Sequence, residues 1–220
     1  MIRFSPMEQM LRHQCLIYDG SPARMLPAIA AIIKQKLSEN LRCLYLNSPT
    51  MVAALRPYLS AAGVDVTHET AKNSLILTSD QNHLKNGHFD VDLMLGTLEE
   101  AMNQALTDGY QGLWATGDMS WEMGRDRDLE KLAEYEWRLE KFFQKHSALS
   151  GICQYHAESL PREALCHGLL AHPALFINET LARINPRYIP TEALIRLAAP
   201  TPGLQDAIRN LCELQRGVRR

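Results

Sequence analysis

The chain has 220 residues, 46% hydrophobic and 22% charged, which suffices for one buried core and excludes an intrinsically disordered polymer. A formal net charge of -2 and an isoelectric point near 6.4 exclude a protein that grips nucleic acid through an overall basic surface. Charge or proline breaks every apolar run before membrane-spanning length, and the opening MIRFSPMEQMLRHQ lacks the apolar stretch of a secretory signal.

Residues 1–12 read as an N-terminal extension, with Met7, Met10 and Leu11 placed to cover an edge of the domain. The first strand is residues 13–18, HQCLIY, ended by Asp19-Gly20-Ser21-Pro22. A helix over 27–40 carries Ile29, Ile32, Ile33 and Leu37 on one face, with Pro27 in its first turn. Residues 41–47 are the second strand. Ser48 caps the next helix, which ends near Gly63. Short strands are expected at 64–66 and 75–78, then a polar loop over 79–90. Val91, Leu95, Leu98, Met102 and Ala105 stripe a helix over 90–107.

Residues 109–121, GYQGLWATGDMSW, read as a turn, a buried strand over 112–116 and a polar tip. The strongest helix follows at 125–146, with Leu129, Leu132, Tyr135, Leu139 and Phe142 at spacings of three and four. A strand over 150–155, a helix over 158–170 and a strand over 174–177 come next. Rigid loop covers 185–190, then a short helix over 191–199 and a last amphipathic helix over 204–214. The division is therefore a main domain over 13–190 and a helical extension over 191–220, whose last helix is a candidate for homodimerisation or coupling to an output domain.

Alternating strands and helices imply an α/β fold with a mostly parallel sheet and helices on both faces. Ligands in such folds sit beyond the carboxyl ends of the strands. Those ends supply the candidate ligand residues Tyr18, Asp19, Asn47, Asp118, Met119, Trp121, Tyr155 and His156. Trp121 and Met119 suit the wall of an apolar pocket, and Asp118 a polar contact at its rim.

A phosphate loop needs G-x-x-x-x-G-K-[ST] after the first strand. That place reads DGSPARMLPA, without a second glycine or a lysine, so ATP hydrolysis by the usual machinery is not expected. Cys153, His156, Cys166, His167 and His172 match no standard zinc spacing and are read as packing residues, so no metal or other cofactor is expected. His13-x-Cys15 puts two side chains on one strand face, which suits packing or a ligand more than a metal. No Cys-His nucleophile signature is present, so no catalytic residue is expected. Five cysteines, three of them in apolar strand-like runs, point to reduced thiols and a cytoplasmic location.

Several motifs occur in order: His13-x-Cys15-Leu16-Ile17-Tyr18, Tyr45-Leu46-Asn47-Ser48-Pro49, Gly109-Tyr110, Thr116-Gly117-Asp118-Met119-x-Trp121, Tyr135-Glu136, Cys153-Gln154-Tyr155, His172-Pro173 and Asn185-Pro186-x-Tyr188. The ordered set, over residues 12–190, resembles the MEDS sensory domain of methanogen and methylotroph regulators, a family that includes the repressor of dichloromethane dehalogenase. The resemblance implies a RecA/KaiC-like domain without its phosphate loop, which senses small molecules such as hydrocarbon derivatives. Asp118 departs from the family, whose members more often carry glutamate there. No helix-turn-helix or histidine-kinase pattern is present, so a regulator or kinase output module is expected as a protein partner. The expected function is non-enzymatic small-molecule sensing, with no direct contact to nucleic acid or membrane. A nucleotide-binding domain with degenerate motifs and an assembly scaffold are the competing readings.

Overall fold

The computed structural model describes residues 9–79, 84–85, 88–120, 128–178, 181–190, 193 and 203–217. The strands in chain order are β1 His13–Tyr18, β2 Arg42–Asn47, β3 Leu75–Ser79, β4 Leu84–Lys85, β5 His88–Phe89, β6 Leu113–Asp118, β7 Leu149–His156, β8 Ala174–Asn178 and β9 Leu181–Ile184. The helices are α1 Leu26–Ser38, α2 Pro49–Ala61, α3 Val66–Ala71, α4 Val91–Thr107, α5 Leu129–Lys145, α6 Arg162–Ala171 and α7 Leu204–Gly217. A 3-10 turn, Pro22–Met25, leads into α1.

Capping side chains set where several helices start. The Ser48 hydroxyl accepts from the Met51 N–H, and the Asp90 carboxylate from that of Leu93. Asp128 accepts from both Glu130 and Lys131 N–H groups. Asp65 does the same for His68, which turns residues expected as a strand at 64–66 into the entry of α3. The expected loop over 79–90 contains the small antiparallel ribbon β4–β5. The helix expected at 191–199 lies outside the described residues except for Ala193, as do residues 1–8 of the N-terminal extension.

Seven strands form one sheet in the order β3-β2-β6-β7-β1-β8-β9, parallel throughout except for the β8–β9 pair. Side-chain direction alternates along each strand, and because both faces are covered the central strands are buried almost throughout. Leu16, Tyr18, Cys43, Tyr45 and Trp114 pack with α1 and α2 in one core. Cys15, Ile17, Leu44, Leu46, Cys153 and Tyr155 pack with α4, α5 and α6 in the other. Helix α7 belongs to that second core through Leu204, Ile208, Leu211 and Cys212. No helix among the described residues is long and apolar enough to cross a membrane.

Candidate functional site

The two-residue period of the strands divides the predicted ligand residues between the faces. Tyr18, Asn47, Asp118 and His156 gather at the strand tips on the α1–α2 side. The Tyr18 and His156 rings lie 5.2 Å apart, and Tyr18 also meets the Asp118 carboxylate. The protein's own groups occupy much of this tip. His156 places Nε2 2.7 Å from the Gly20 carbonyl and Nδ1 2.5 Å from the Ser159 hydroxyl. Asn47 Oδ1 accepts from the Ser48 N–H at 2.8 Å. Asp118 accepts from the backbone N–H of Ser120 at 2.8 Å and from its hydroxyl. Asp19 pairs with Arg216 of α7 and, at 3.9 Å, with Arg24. Met119 and Tyr155 belong to the opposite core. Trp121 lies outside the described residues.

Burial raises the pKa of Asp118 above the ordinary 3.8, with hydrogen bonds from Ser120 opposing the shift. A folded state that holds its proton more tightly than the unfolded chain loses stability as pH rises through the raised value. Asp118→Asn is therefore expected to melt higher than the parent at neutral pH, with the difference vanishing well below pH 3.8. Melting temperatures of both proteins across pH check this; a difference independent of pH would contradict it.

The place of a phosphate loop, between β1 and α1, is closed in a different way. The Gly20 N–H, a donor a phosphate would need, instead donates to Glu158 Oε1 at 3.2 Å. Pro22 and Pro27 carry no N–H in the turns that would face an anion. The carboxylates of Asp19 and Glu158 flank this turn.

On the other face the core leaves a void. A cavity of about 40 Å³ is bounded by Leu44, Leu46, Ala115, Gly117 and Met119 of the sheet side, by Met94 and Leu98 of α4, and by Tyr135, Leu139 and Phe143 of α5. Cys153 closes one wall. The lining is almost wholly apolar. Of the residues predicted at the strand tips, Met119 reaches it.

Beside that wall lies a buried polar cluster. His13 Nδ1 is 2.7 Å from Glu140 Oε2, and His13 Nε2 is 3.5 Å from Cys153 Sγ. His172 Nδ1 is 2.7 Å from the Gly168 carbonyl, and its Nε2 is 3.5 Å from Glu136 Oε2. Tyr188 and Gln144 both donate to Glu140 Oε1, at 3.1 and 2.7 Å. Asn185 Nδ2 donates to the carbonyls of Leu169 and His172, which fixes the end of α6. The Phe143 ring stacks on His13 at 4.2 Å. Burial, helped by Arg12, pulls His13 down to about 3. Burial, helped by Glu140, pushes Glu136 above the ordinary carboxylate range. His172 is likewise driven well below its ordinary value. Burial disfavours the charged form of both imidazoles, and each turns one nitrogen to a hydrogen-bond acceptor.

The model of the methanogen/methylotroph, DcmR sensory domain family, MEDS, matches residues 12–173. The chain belongs to the MEDS family. A solved structure similar to this MEDS chain is the KaiC-like protein PH0186 from the hyperthermophilic archaeon Pyrococcus horikoshii OT3. It shares 14% identity at a TM-score of 0.51, over 74% of this chain and 70% of that one. That likeness shows the fold, RecA/KaiC-like α/β. No curated protein matches the sequence.

Within the matched span, His13, Glu136, Cys153, Tyr155 and His172 converge on the buried cluster, and Asn185 and Tyr188, beyond it, stand around the same cluster. Sequence reasoning read Cys153 and His172 as packing residues and did not single out Glu136 or Glu140 as site residues. Their signal is two glutamates four apart, interleaved with the inner stripe residues Tyr135 and Leu139. Both are buried.

Proposed function

We propose that this MEDS domain is the sensing part of a bacterial or archaeal signal-transduction or transcription-control system, holding a small apolar molecule in the cavity between the sheet and α4–α5. The cavity is the observation that carries the reading. Protein interiors seldom leave voids larger than a water. An apolar void offers water no partners, whereas an apolar guest fits it. One water needs about 10–15 Å³ in this measure, so the void suits a guest of a few heavy atoms. A short hydrocarbon derivative is the ligand class that matches.

The signal route is α5. It walls the cavity through Tyr135, Leu139 and Phe143 and carries Glu136 and Glu140 into the buried cluster. A guest shifts the domain only so far as it binds one arrangement of α5 better than another. A regulator or kinase output module as partner, a homodimer, and a cytoplasmic setting belong to the same proposal. No reaction is assigned to the site.

A thermal-shift screen separates this from the nucleotide reading. One- to three-carbon halides and hydrocarbons are expected to raise the melting temperature, and ATP with magnesium to leave it unchanged. The carboxylate of Glu158 on the Gly20 N–H favours that second outcome. Stabilisation by ATP with magnesium alone would overturn the proposal.

A further inference from the structure

His13, Glu136, Cys153 and His172 each offer one ligand atom, all four within 4.8 Å of one another, and all four residues are buried. As a plain hydrogen-bond network the cluster is incomplete. Neither Glu136 oxygen nor His172 Nε2 has a hydrogen bond of normal geometry, although Glu136 is 1% exposed and His172 0%. The Tyr155 hydroxyl faces Glu136 without reaching normal hydrogen-bond geometry. Buried polar groups are rarely left this way.

The groups around the cluster are arranged as metal-ligand supports. Each histidine turns Nδ1 to an acceptor, His13 to Glu140 and His172 to the Gly168 carbonyl, and so presents Nε2 inward. That pattern fixes the tautomer of a metal-bound imidazole. Tyr188 and Gln144 in turn hold Glu140.

We infer that His13 Nε2, His172 Nε2, Cys153 Sγ and the Glu136 carboxylate form a binding site for one divalent cation of the zinc class. Thiolate with imidazole selects borderline and soft ions over magnesium or calcium. Tetrahedral bonds of about 2.0–2.3 Å put ligand atoms roughly 3.3–3.8 Å apart. The Cys153–His13 and His172–Glu136 separations, both 3.5 Å, already fit. The widest pair needs a contraction of no more than about 1 Å to reach that spacing. One thiolate and one carboxylate balance a doubly charged ion. A cleft of about 470 Å³, lined by Arg12, His13, Glu140, Gln144, Pro173 and Tyr188, reaches the outer side of His13. Cys153 also walls the apolar cavity, so the site would place a metal-bound thiolate against the guest. The metal site stands or falls without regard to what that guest is.

Titrating the chelator-treated full chain with Co²⁺ tests this. One equivalent is expected to bind with d–d bands of tetrahedral type and a thiolate-to-cobalt charge-transfer band, and Zn²⁺ to displace it. Cys153→Ser should abolish the charge-transfer band, while Cys43→Ser, on the opposite face, keeps it. His172→Ala should weaken binding at least ~10-fold, and Glu140→Gln, a positioning residue, by about 10–100-fold. If Cys153→Ser fails to fold, retention of the band in Cys15→Ser, Cys43→Ser, Cys166→Ser and Cys212→Ser assigns the thiolate to Cys153. A parent chain without stoichiometric uptake, or a charge-transfer band that survives Cys153→Ser, would overturn the inference.

Discussion

Ala115→Val is expected to weaken sharply the thermal shift that small hydrocarbons and halides give, while leaving the chain folded. Ala115 lies in the interior strand β6, between β2 and β7, is only partly buried and lines the cavity. Valine adds two methyl groups into a void of about 40 Å³ and suits a strand backbone. In the free protein those methyls replace empty space, so stability holds or rises by about 0.5–2 kcal/mol, as cavity filling commonly gives. In the complex the same methyls overlap the guest. Overpacking costs about 1–3 kcal/mol, which is roughly a 5- to 150-fold loss of affinity. The reverse change, Leu139→Ala, enlarges the void at a cost of about 2–5 kcal/mol and should shift preference toward larger guests. Melting curves with and without ligand check both. An undiminished response in Ala115→Val would place the guest elsewhere, the strand tips around Asp118 being the next candidate.

Gly151→Ala is expected to be the most damaging single-methyl change in the sheet. Gly151 pairs with Ala115 on one side and His13 on the other. A Cβ there would lie 2.3 Å from the Ala115 carbonyl oxygen and 3.4 Å from the Phe143 ring. Glycine in a strand normally costs about 0.5–1 kcal/mol relative to alanine, so propensity argues for the substitution. Packing argues against it, and packing wins. The offending atom is backbone held in the ladder, and it cannot rotate away like a side-chain tip. A net loss of about 3 kcal/mol is expected, at the upper end of ordinary overpacking. For a chain of this size that lowers the melting temperature by roughly 6–12 °C. Because β6, β7 and β1 meet there, the His13–Cys153 contact should loosen as well. A melting temperature within a degree or two of the parent would contradict the packing account.

The parallel sheet was legible because its strands announce themselves twice. HQCLIY and RCLYLN are apolar, and each is closed by a turn or cap residue, Asp19-Gly20 or Ser48. β9 was not legible: LARI is a short edge strand, largely exposed, with arginine in its middle. β6 runs two residues past its expected end, since Gly117 and Asp118 are poor strand formers held in place by register with Cys153 and Gln154. At 64–66 two valines read as strand, but the Asp65 carboxylate between them caps α3.

The site divides the same way. Residue types at strand ends can be read from sequence, which is how Asp118 and Met119 became candidates. Which face each points to needs the register, and that moved Tyr155 and Met119 away from Tyr18 and His156. A void is a property of summed side-chain volumes and leaves no mark in any one residue. The buried glutamates of α5 were hidden for a related reason: glutamate at 136 and 140 looks like the solvated flank of an amphipathic helix until α6 covers it.

The most direct measurement of the central claim is a methyl spectrum of the chain with isotope-labelled methionines, titrated with dichloromethane. Met94 and Met119 line the cavity, whereas Met25 lies in the core on the opposite face of the sheet. The account predicts saturable shifts at Met94 and Met119 with Met25 unmoved. Equal small drifts at every methionine, or shifts confined to Met25, would contradict it.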